Sequence, residues 1–377
     1  MTFCFEKERA LFPILTRKAQ LSSCSQSALS EPVATAIRDY TTSWLEQGMD
    51  WVGWVTEVDG AKAEFARLIN ADPSDIAVMS CVSDITSSIG SAFEFTGDKN
   101  EVVVADIDFP SLGHVWLAHE RKGAKVKFVP DNGKNCIDLE AYREAINERT
   151  RLVSISHVSY YNGFKQDIQA IAALAHSHDA LIYVDAYQSV GSMQIDVVRD
   201  EIDLLACGAQ KFLLGCPGIA FLYVRRDLAK KFQPSNTGWF GRVNPFAFDI
   251  RHLDYADGAR RFDTGTAPMI NACAARAGMQ LLNSLNMADV ESHLRFLSDI
   301  ALQEAKSKGL RIASPLDVNL KGATTAIYIH DAQTVERKMA NDGFIVSARN
   351  DVIRVAPHFY NTEQEVAAAM NALARYA

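Results

Sequence analysis

One charged residue, Lys211, lies within the otherwise apolar and small-residue stretch "CGAQKFLLGCPGIAFLYV" of residues 207–224. A buried cation is costly unless it has a partner or takes part in a reaction. Asp185 follows the apolar run "LIYV", and Gln188 lies three residues further along the chain. A carboxylate at the end of a buried strand likewise needs a cationic partner or several hydrogen-bond donors. These three residues are therefore the first candidates for chemistry.

One cofactor needs a lysine and a carboxylate together. Pyridoxal phosphate forms a Schiff base with a lysine amine, and its ring nitrogen is best kept protonated by a carboxylate. A dry site near a positive charge also lowers the pKa of the amine, which makes it a better nucleophile and general base. Each residue alone has an ordinary interpretation, since an Asp after a strand is most often a cap or turn residue and a Lys most often extends to water. The combination favours the cofactor.

The elements that would hold these residues alternate between strands and helices from about residue 70 to 225. The sequence predicts strands at 101–108, 124–130, 151–159, 180–186, 202–208 and 218–224, and helices at 111–123, 138–149 and 167–179. This alternation predicts an α/β fold with a mostly parallel central sheet and helices on both faces. Ligands bind such sheets beyond the carboxyl ends of the strands, where Asp185 and Lys211 would both arrive.

The pattern changes after about residue 285. A long helix at roughly 288–308, short strands near 323–329 and 344–347 and a final helix predict a smaller C-terminal α+β domain. Thr362 and Glu365 have the spacing of a capping box at the start of that last helix. We therefore expect a large domain at 21–285, a small domain at 286–377, and an N-terminal segment, 1–20, that packs on the small domain.

Composition limits the partners of the chain. It has 377 residues, a net charge of −8 and seven dispersed cysteines without a CxxC pair. No apolar run reaches the ~20 residues of a bilayer span, and the N-terminus lacks the apolar core of a signal peptide. Mild acidity without a Lys/Arg-rich block argues against nucleic acid. We expect a cytoplasmic protein with reduced thiols and no membrane partner.

Motifs of several other enzyme classes are missing from the sequence. It contains no GxGxxG for a dinucleotide, no GxxxxGK[ST] for a nucleotide phosphate and no GxSxG of a serine hydrolase. There is no HExxH or Cys/His cluster, so no metal is expected. A non-catalytic protein that kept the fold is the remaining alternative, and the intact set of Asp185, Gln188 and Lys211 argues against it.

The segments "LIYVDAYQSVGSMQIDV" and "DLLACGAQKFLLGCPGIAFLYV" resemble the class V aminotransferase family of pyridoxal-phosphate enzymes. That family includes cysteine desulfurases, kynureninases and isopenicillin-N-epimerase-like proteins. The resemblance covers roughly residues 20–370 and implies the fold of type I pyridoxal-phosphate-dependent transferases and a homodimer with shared active sites. It implies that Lys211 holds the cofactor as a Schiff base, that Asp185 pairs with the pyridine nitrogen, and that Gln188 donates to the phenolic oxygen of the ring.

The resemblance also assigns residues to the cofactor phosphate. The loop "SCVSDITSSIG" opens a helix whose free N–H groups would cradle a phosphate. The implied contacts are Val82 through its N–H, Ser83, Gln210 and, from the neighbouring subunit, Thr266. The serine that relatives commonly carry three residues before the lysine is Gly208 here, so one phosphate donor is missing.

Two aromatic side chains are implied at the faces of the cofactor ring. "DFPS" resembles the segment that lays a ring over the cofactor, which points to Phe109, although a plain core aromatic is an equal interpretation. "HVSYYNG" occupies the segment under the ring, where relatives place an Asn. That position is Tyr160 here, with Asn162 as the weaker candidate.

The segment "SARNDVIRVAPHFYNTEQE" resembles the carboxylate-binding region near the C-terminus of the family. The resemblance implies that Arg354 forms a bidentate fork with the substrate α-carboxylate; the alternative is a surface Arg on a strand. Arg349 and His358 would line the same pocket. Trp239, in "TGWFG", would be a pocket wall or a core residue.

The expected reaction is of the aminotransferase type, on an amino acid joined to the cofactor through an imine. The alternatives are a C–S or C–C β-lyase, similar to kynureninase or a cysteine-conjugate lyase, and an amino acid epimerase. A cysteine desulfurase needs a nucleophilic cysteine on the loop just before Arg354, and residues 347–354 contain none. This absence argues against a desulfurase.

Overall fold

Helices and strands alternate along the chain in the computed structural model, which describes residues 5–377; the first four residues of the expected N-terminal segment lie outside this part. The helices are α1 (Glu6–Arg9), α2 (Glu31–Gln47), α3 (Trp51–Leu68), α4 (Val82–Ser91), α5 (Pro110–Ala118), α6 (Leu139–Ala145), α7 (Ile168–Ser177), α8 (Arg226–Ala229), α9 (Met269–Asn283), α10 (Met287–Ser307), α11 (Ala332–Asn341) and α12 (Glu363–Leu373). The strands are β1 (Ala19–Gln20), β2 (Ile76–Met79), β3 (Glu101–Ala105), β4 (Lys125–Val129), β5 (Thr150–Ser156), β6 (Leu181–Asp185), β7 (Leu204–Gly208), β8 (Ala220–Val224), β9 (Thr325–Tyr328), β10 (Phe344–Ile345), β11 (Ser347–Arg349) and β12 (Val352–Val355). No helix among residues 5–377 is long and apolar enough to span a membrane.

The central sheet has seven strands in the order β2-β8-β7-β6-β5-β3-β4. Strands β4, β3, β5, β6 and β7 run parallel to their neighbours. Strand β8 alone runs antiparallel, between β7 and β2. The predicted mostly parallel α/β sheet is confirmed. Because β2, β5, β6 and β7 point the same way, their carboxyl ends meet at one edge of the sheet.

Helices cover both faces of this sheet with separate apolar clusters. On one face Phe65 of α3 and Met279 of α9 belong to one buried cluster. On the other face Ile85 of α4 and Trp116 of α5 belong to a second. The indole N–H of Trp116 donates to the hydroxyl of Ser154 in β5 at 2.8 Å, so this large buried ring also has its polar atom satisfied. Both faces are therefore dry, as the apolar strand runs require.

Two long helices, α2 and α3, were not among the elements predicted from the sequence. Helix α2 buries only Val33 and leaves Trp44 and Leu45 exposed. Several of its apolar residues, such as Trp44 and Leu45, therefore do not pack in the core, so the sequence shows no clear helical pattern of buried positions. Its start is well defined, because the Ser30 hydroxyl accepts from the Val33 N–H at 3.4 Å.

The C-terminal region contains a three-stranded antiparallel sheet in the order β11-β12-β9. Strand β12, which carries Arg354, was not predicted as a strand. The predicted capping box is present, since Thr362 accepts from the Glu365 N–H at 3.2 Å and the Glu365 carboxylate accepts from the Thr362 N–H at 2.9 Å. The proposed domain boundaries stay predictions.

The part of the chain before helix α2 contacts both the C-terminal strands and the loop after β7. Strand β1 pairs in parallel with β10. The Ser23 N–H donates to the Ala356 carbonyl at 3.0 Å, just past β12. The Ser27 N–H donates to the Gln210 carbonyl at 3.2 Å, next to Lys211. Residues near both ends of the chain are therefore tied to the loop that carries the candidate lysine.

Candidate active site

A cavity of about 330 Å³ opens at the sheet edge where the carboxyl ends of β2, β5, β6 and β7 meet. This is the location expected for a ligand of an α/β sheet, and its volume is that of a small-molecule site. It is lined by these predicted residues: Val82, Ser83, Phe109, Tyr160, Asp185, Gln188, Gln210, Lys211, Arg349 and Arg354.

Lys211 lies on the tight loop that connects β7 to the antiparallel β8. The Gly215 N–H donates to the Ala209 carbonyl at 2.8 Å, which closes the loop. Gly218 then takes a φ of +98°, a conformation that glycine adopts without strain, and the chain returns as β8. The loop therefore holds the lysine at the sheet edge instead of letting it extend into solvent.

The Lys211 amine sits among aromatic rings. Its Nζ lies 4.0 Å from the centroid of the Tyr187 ring and 5.9 Å from that of Phe109. Burial lowers the pKa of Lys211 to about 8, and the negative charge of Asp185 acts in the opposite direction. A lysine with this pKa has an appreciable neutral fraction near neutral pH, as a nucleophile or general base requires.

Asp185 ends strand β6 in the same cavity. Its Oδ1 accepts from the Tyr187 N–H at 2.9 Å. Burial raises the pKa of the Asp185 carboxyl, while that N–H and the Lys211 charge lower it. A buried carboxyl with one backbone donor gains from a protonated ligand nitrogen, because such a partner compensates its desolvation.

Gln188 contributes an unsatisfied polar atom. Its Nε2 donates to the Cys24 carbonyl at 3.0 Å, while its buried Oε1 has no hydrogen-bond partner in the described chain. The second N–H of the amide is still available. Because buried polar atoms normally have partners, this side chain indicates a polar ligand in the cavity.

One wall of the cavity is the start of helix α4. Its N-cap, Cys81, has extended backbone angles and makes no side-chain cap hydrogen bond. The first N–H groups of the helix, at Val82 and Ser83, therefore lack a capping side chain and can bind an anion. Gln210 lines the same cavity, next to Lys211.

Arg354 is a buried cation whose partners in the described chain are all neutral. It is 1% exposed. Its guanidinium donates to the Tyr160 carbonyl at 2.7 Å, the Ser25 hydroxyl at 2.9 Å and the Ser347 hydroxyl at 2.6 Å. Its Nε has no partner, and neither does the Nε of Arg349 nearby. A buried guanidinium without a carboxylate calls for an anionic ligand.

Phe109 is not a core aromatic. Its ring is 40% exposed at the cavity and meets the Tyr160 ring edge to face, with the centroids 5.1 Å apart. Asn162, the alternative to Tyr160, lies away from the cavity. Its side chain is buried and bonded to the carbonyls of Asn135 and Ala313. The structure therefore places Tyr160, and not Asn162, at the site.

Three other predicted residues do not reach this cavity. His358 is fully buried, and its Nε2 bonds to the Phe212 carbonyl at 3.1 Å behind the lysine loop. Burial lowers the pKa of His358 to about 4. Trp239 lines a separate surface depression together with Phe248. Thr266, which was predicted to reach the phosphate of the neighbouring subunit, is exposed and does not line this cavity, and that prediction stays a prediction.

The sequence analysis did not single out four residues that line or support the site. Ser25 and Ser347 hold the guanidinium of Arg354, and Cys24 and Tyr187 line the cavity. No sequence signal pointed to Ser25 and Cys24, because the contact of Ser25 with Arg354 joins residues 329 positions apart. Tyr187 could have been predicted at the site, because it lies between the two candidate residues Asp185 and Gln188.

Comparisons with known proteins show the family to which the sequence belongs. The family model described as Aminotransferase class-V matches residues 21–369. A protein named "uncharacterized aminotransferase YcbU" from Bacillus subtilis (strain 168) is 40% identical over 98% of this chain and 97% of its own length.

Solved structures share the fold at low sequence identity. The apo cysteine desulfurase from Thermococcus onnurineus NA1 has a TM-score of 0.88 and 18% identity, covering 100% of this chain and 98% of that chain. The protein C-DES, solved with glycine covalently linked to its PLP cofactor, has a TM-score of 0.88 and 19% identity, covering 98% and 99%. These two likenesses show the fold.

Proposed function

Because this chain belongs to the class V aminotransferase family of pyridoxal-phosphate enzymes, we propose that it acts on an α-amino acid as an aminotransferase-type enzyme, with Lys211, Asp185 and Gln188 as catalytic residues. The observation that carries the proposal is the buried guanidinium of Arg354, with neutral partners only, in the same cavity as Lys211. An α-amino acid brings a carboxylate for Arg354 and an amine toward Lys211.

The cavity residues fit the cofactor. Asp185 would hold the proton on the ring nitrogen, and the free N–H of Gln188 would donate to the phenolic oxygen. The N–H groups at Val82 and Ser83, together with Gln210, would bind the phosphate. The uncapped start of α4 supports this fit, because its first N–H groups need an acceptor. Bound there, the cofactor supplies an electron sink for bonds at the substrate Cα.

The remaining contacts would position the ring and the substrate. The edge-to-face pair of Phe109 and Tyr160 would support the ring from the cavity side. The Tyr160 carbonyl also accepts from Arg354. The same residue would thus link the position of the ring to that of the substrate carboxylate.

Lys211 would carry the proton during the reaction. With its pKa lowered to about 8, the free amine can accept a proton from the substrate Cα at near-neutral pH. Lys211 would return that proton away from Cα for amino transfer. Return to the same face of Cα would regenerate the substrate, so an epimerase would need a second acid on the opposite face.

Cleavage of a C–S bond is the second candidate function, either by a β-lyase or by a desulfurase, which alone needs a thiol to accept the sulfur. The observation that favours it is the presence of two thiols, Cys24 and Cys81, at the cavity wall. The sequence argument against a desulfurase considered only residues 347–354, and these thiols lie on other elements. A sulfur acceptor is therefore available in the cavity.

A panel of amino acids, tested with and without pyruvate, distinguishes the two reactions. Amino transfer requires the keto acid and releases alanine formed from it. A lyase releases pyruvate from cysteine or a cysteine conjugate without an acceptor. Wild-type protein should also show the visible absorbance of a Schiff base that borohydride removes, with Lys211→Ala as the control. A folded wild-type protein that never binds the cofactor would end this proposal.

We also propose a homodimer in the cytoplasm. Exposed apolar side chains on the α2–α3 connection and on the 243–253 segment support the dimer: Trp44, Leu45, Met49, Val52, Val243, Phe246, Phe248, Ile250 and Leu253. A partner subunit on this surface would bring a second copy of Trp239 and Thr266 close to the interface. The location is inferred from free cysteines throughout the described chain.

A further inference from the structure

Tyr187 occupies a central place in the cavity that neither the catalytic residues nor the substrate site explains. It lies between Asp185 and Gln188, and its N–H holds the Asp185 carboxylate. Its ring passes beside the Lys211 amine, with Nζ 4.0 Å from the ring centroid. Its hydroxyl donates to the Oε1 of Gln210 at 3.1 Å. The side chain thus extends from the ring-nitrogen end of the cavity to the end assigned to the phosphate.

The Tyr187 ring occupies the space that a side chain at position 208 would need. A Cβ added to Gly208 would overlap the Cζ, the hydroxyl oxygen and a ring carbon of Tyr187. The φ of Gly208 is not in the left-handed region, so the backbone does not require a glycine. Position 208 is therefore a glycine because of the tyrosine. The phenolic oxygen lies where the first atoms of a residue 208 side chain would be.

Groups that can bind an anion line the same cavity as this hydroxyl. Gln210 is its hydrogen-bond partner, and the uncapped start of helix α4, at Cys81 and Val82, lines the same cavity. Burial raises the pKa of Tyr187, so the hydroxyl stays protonated and remains a donor. A phenolic O–H turns about its C–O bond without movement of heavy atoms, and it can redirect its proton from Gln210 to a ligand oxygen.

We propose that the Tyr187 hydroxyl is a phosphate donor of the cofactor site, in place of the missing hydroxyl at position 208. The inference rests on the proposed function, since it needs pyridoxal phosphate in this cavity. The tyrosine and the glycine then form a compensating pair: a hydroxyl on a residue just after β6 takes the place of one on the last residue of β7. The phosphate site keeps its number of donors although the side chain at position 208 is absent.

Tyr187→Phe is the direct test, because it removes the hydroxyl and keeps the ring beside Lys211. The dissociation constants of pyridoxal phosphate and of pyridoxal, which lacks the phosphate, are measured by spectroscopic titration of the cofactor-free protein. A hydrogen bond to a charged group predicts that the variant binds pyridoxal phosphate about 10- to 100-fold more weakly. Pyridoxal affinity should stay within about twofold. Unchanged phosphate-form affinity, or an equal loss for both ligands, would overturn the inference.

The compensating pair itself is tested by moving the hydroxyl back. Gly208→Ser alone should bind the cofactor poorly, because the new side chain meets the tyrosine ring. The double variant Tyr187→Ala/Gly208→Ser should bind pyridoxal phosphate at least about fivefold more tightly than Tyr187→Ala, since a charge-assisted hydrogen bond is restored. A double variant no better than the single one contradicts the compensating pair.

Failure of the proposed function gives a different result. In that case the wild-type protein binds neither pyridoxal phosphate nor pyridoxal, whereas failure of the inference alone leaves wild-type binding intact. If a position 187 alanine variant does not fold, as judged by circular dichroism, the Tyr187→Phe titration decides the inference alone.

Discussion

Replacement of Arg354 by glutamine tests whether the buried guanidinium binds the carboxylate of the substrate. In the structure the guanidinium is 1% exposed and bonded only to a carbonyl and two hydroxyls. Arg354→Gln keeps a polar side chain that can still donate to one of these oxygens, but it removes the charge. The other side chains of the cavity are kept, although removal of this charge raises the pKa of Lys211.

The size of the effect follows from the contacts that a carboxylate would make. Hydrogen bonds to charged groups contribute about 1.5–3 kcal/mol each. Two parallel bonds from a guanidinium to a carboxylate therefore total about 3–6 kcal/mol, or about 10²- to 10⁴-fold in kcat/KM. We expect a loss of at least about 100-fold for an α-amino acid.

The assay compares an α-amino acid with the corresponding amine that lacks the carboxylate. Wild-type protein should strongly prefer the amino acid, and Arg354→Gln should lose this preference while its slow reaction with the amine changes much less. Ser347→Ala is the matched control, because it removes one acceptor but keeps the guanidinium. It should cost much less than Arg354→Gln, because the charged guanidinium remains available to the substrate carboxylate.

Two results would refute the reasoning. If Arg354→Gln lowers kcat/KM equally for both substrates, the residue supports the structure of the site and does not bind the carboxylate. The same conclusion follows if the preference for the amino acid persists in the variant. Cofactor absorbance, measured on each variant, shows that the site is still assembled.

Further predictions concern the lysine, a buried ion pair and the surface. Because burial lowers the pKa of Lys211 to about 8, cofactor-free protein should capture pyridoxal phosphate faster as the pH rises from about 7 to about 9; stopped-flow rates that stay flat would contradict this. Lys62→Met leaves the buried Asp263, now 2.5 Å from the Lys62 amine, without a cation, and should lower the free energy of unfolding by about 3–5 kcal/mol; a urea titration showing less than about 1 kcal/mol would contradict it. Ile250→Asp, at a side chain that is 94% exposed, should convert a dimer into monomers in light scattering, and a variant that stays dimeric locates the interface elsewhere.

The sequence predicted the central part of the fold and the position of the site for the same reason. Parallel strands read as continuous apolar runs, and the residues after them reach a common edge. Asp185 and Lys211 therefore could be placed in one cavity without knowledge of any distance.

The rest depended on contacts between distant parts of the chain. His358 lies four residues after Arg354, yet β12 ends between them and the histidine turns behind Phe212. Ser25 and Arg354 are 329 residues apart, and no local pattern joins them. Helix α2 was not predicted because some of its apolar residues, Trp44 and Leu45, are exposed and obscure the pattern of a buried helix face.

The separation between Ser25 and Arg354 has a consequence for biosynthesis. A contact that closes so long a loop forms late, since its entropy cost is met only after other structure exists. The strand that carries Arg354 leaves the ribosome long after Ser25, Asp185 and Lys211. A nascent chain that already contains Asp185 and Lys211 would still lack one wall of the cavity. Retention of the cofactor by this protein would then report a chain synthesised past β12, and a product truncated before β12 would be released without it.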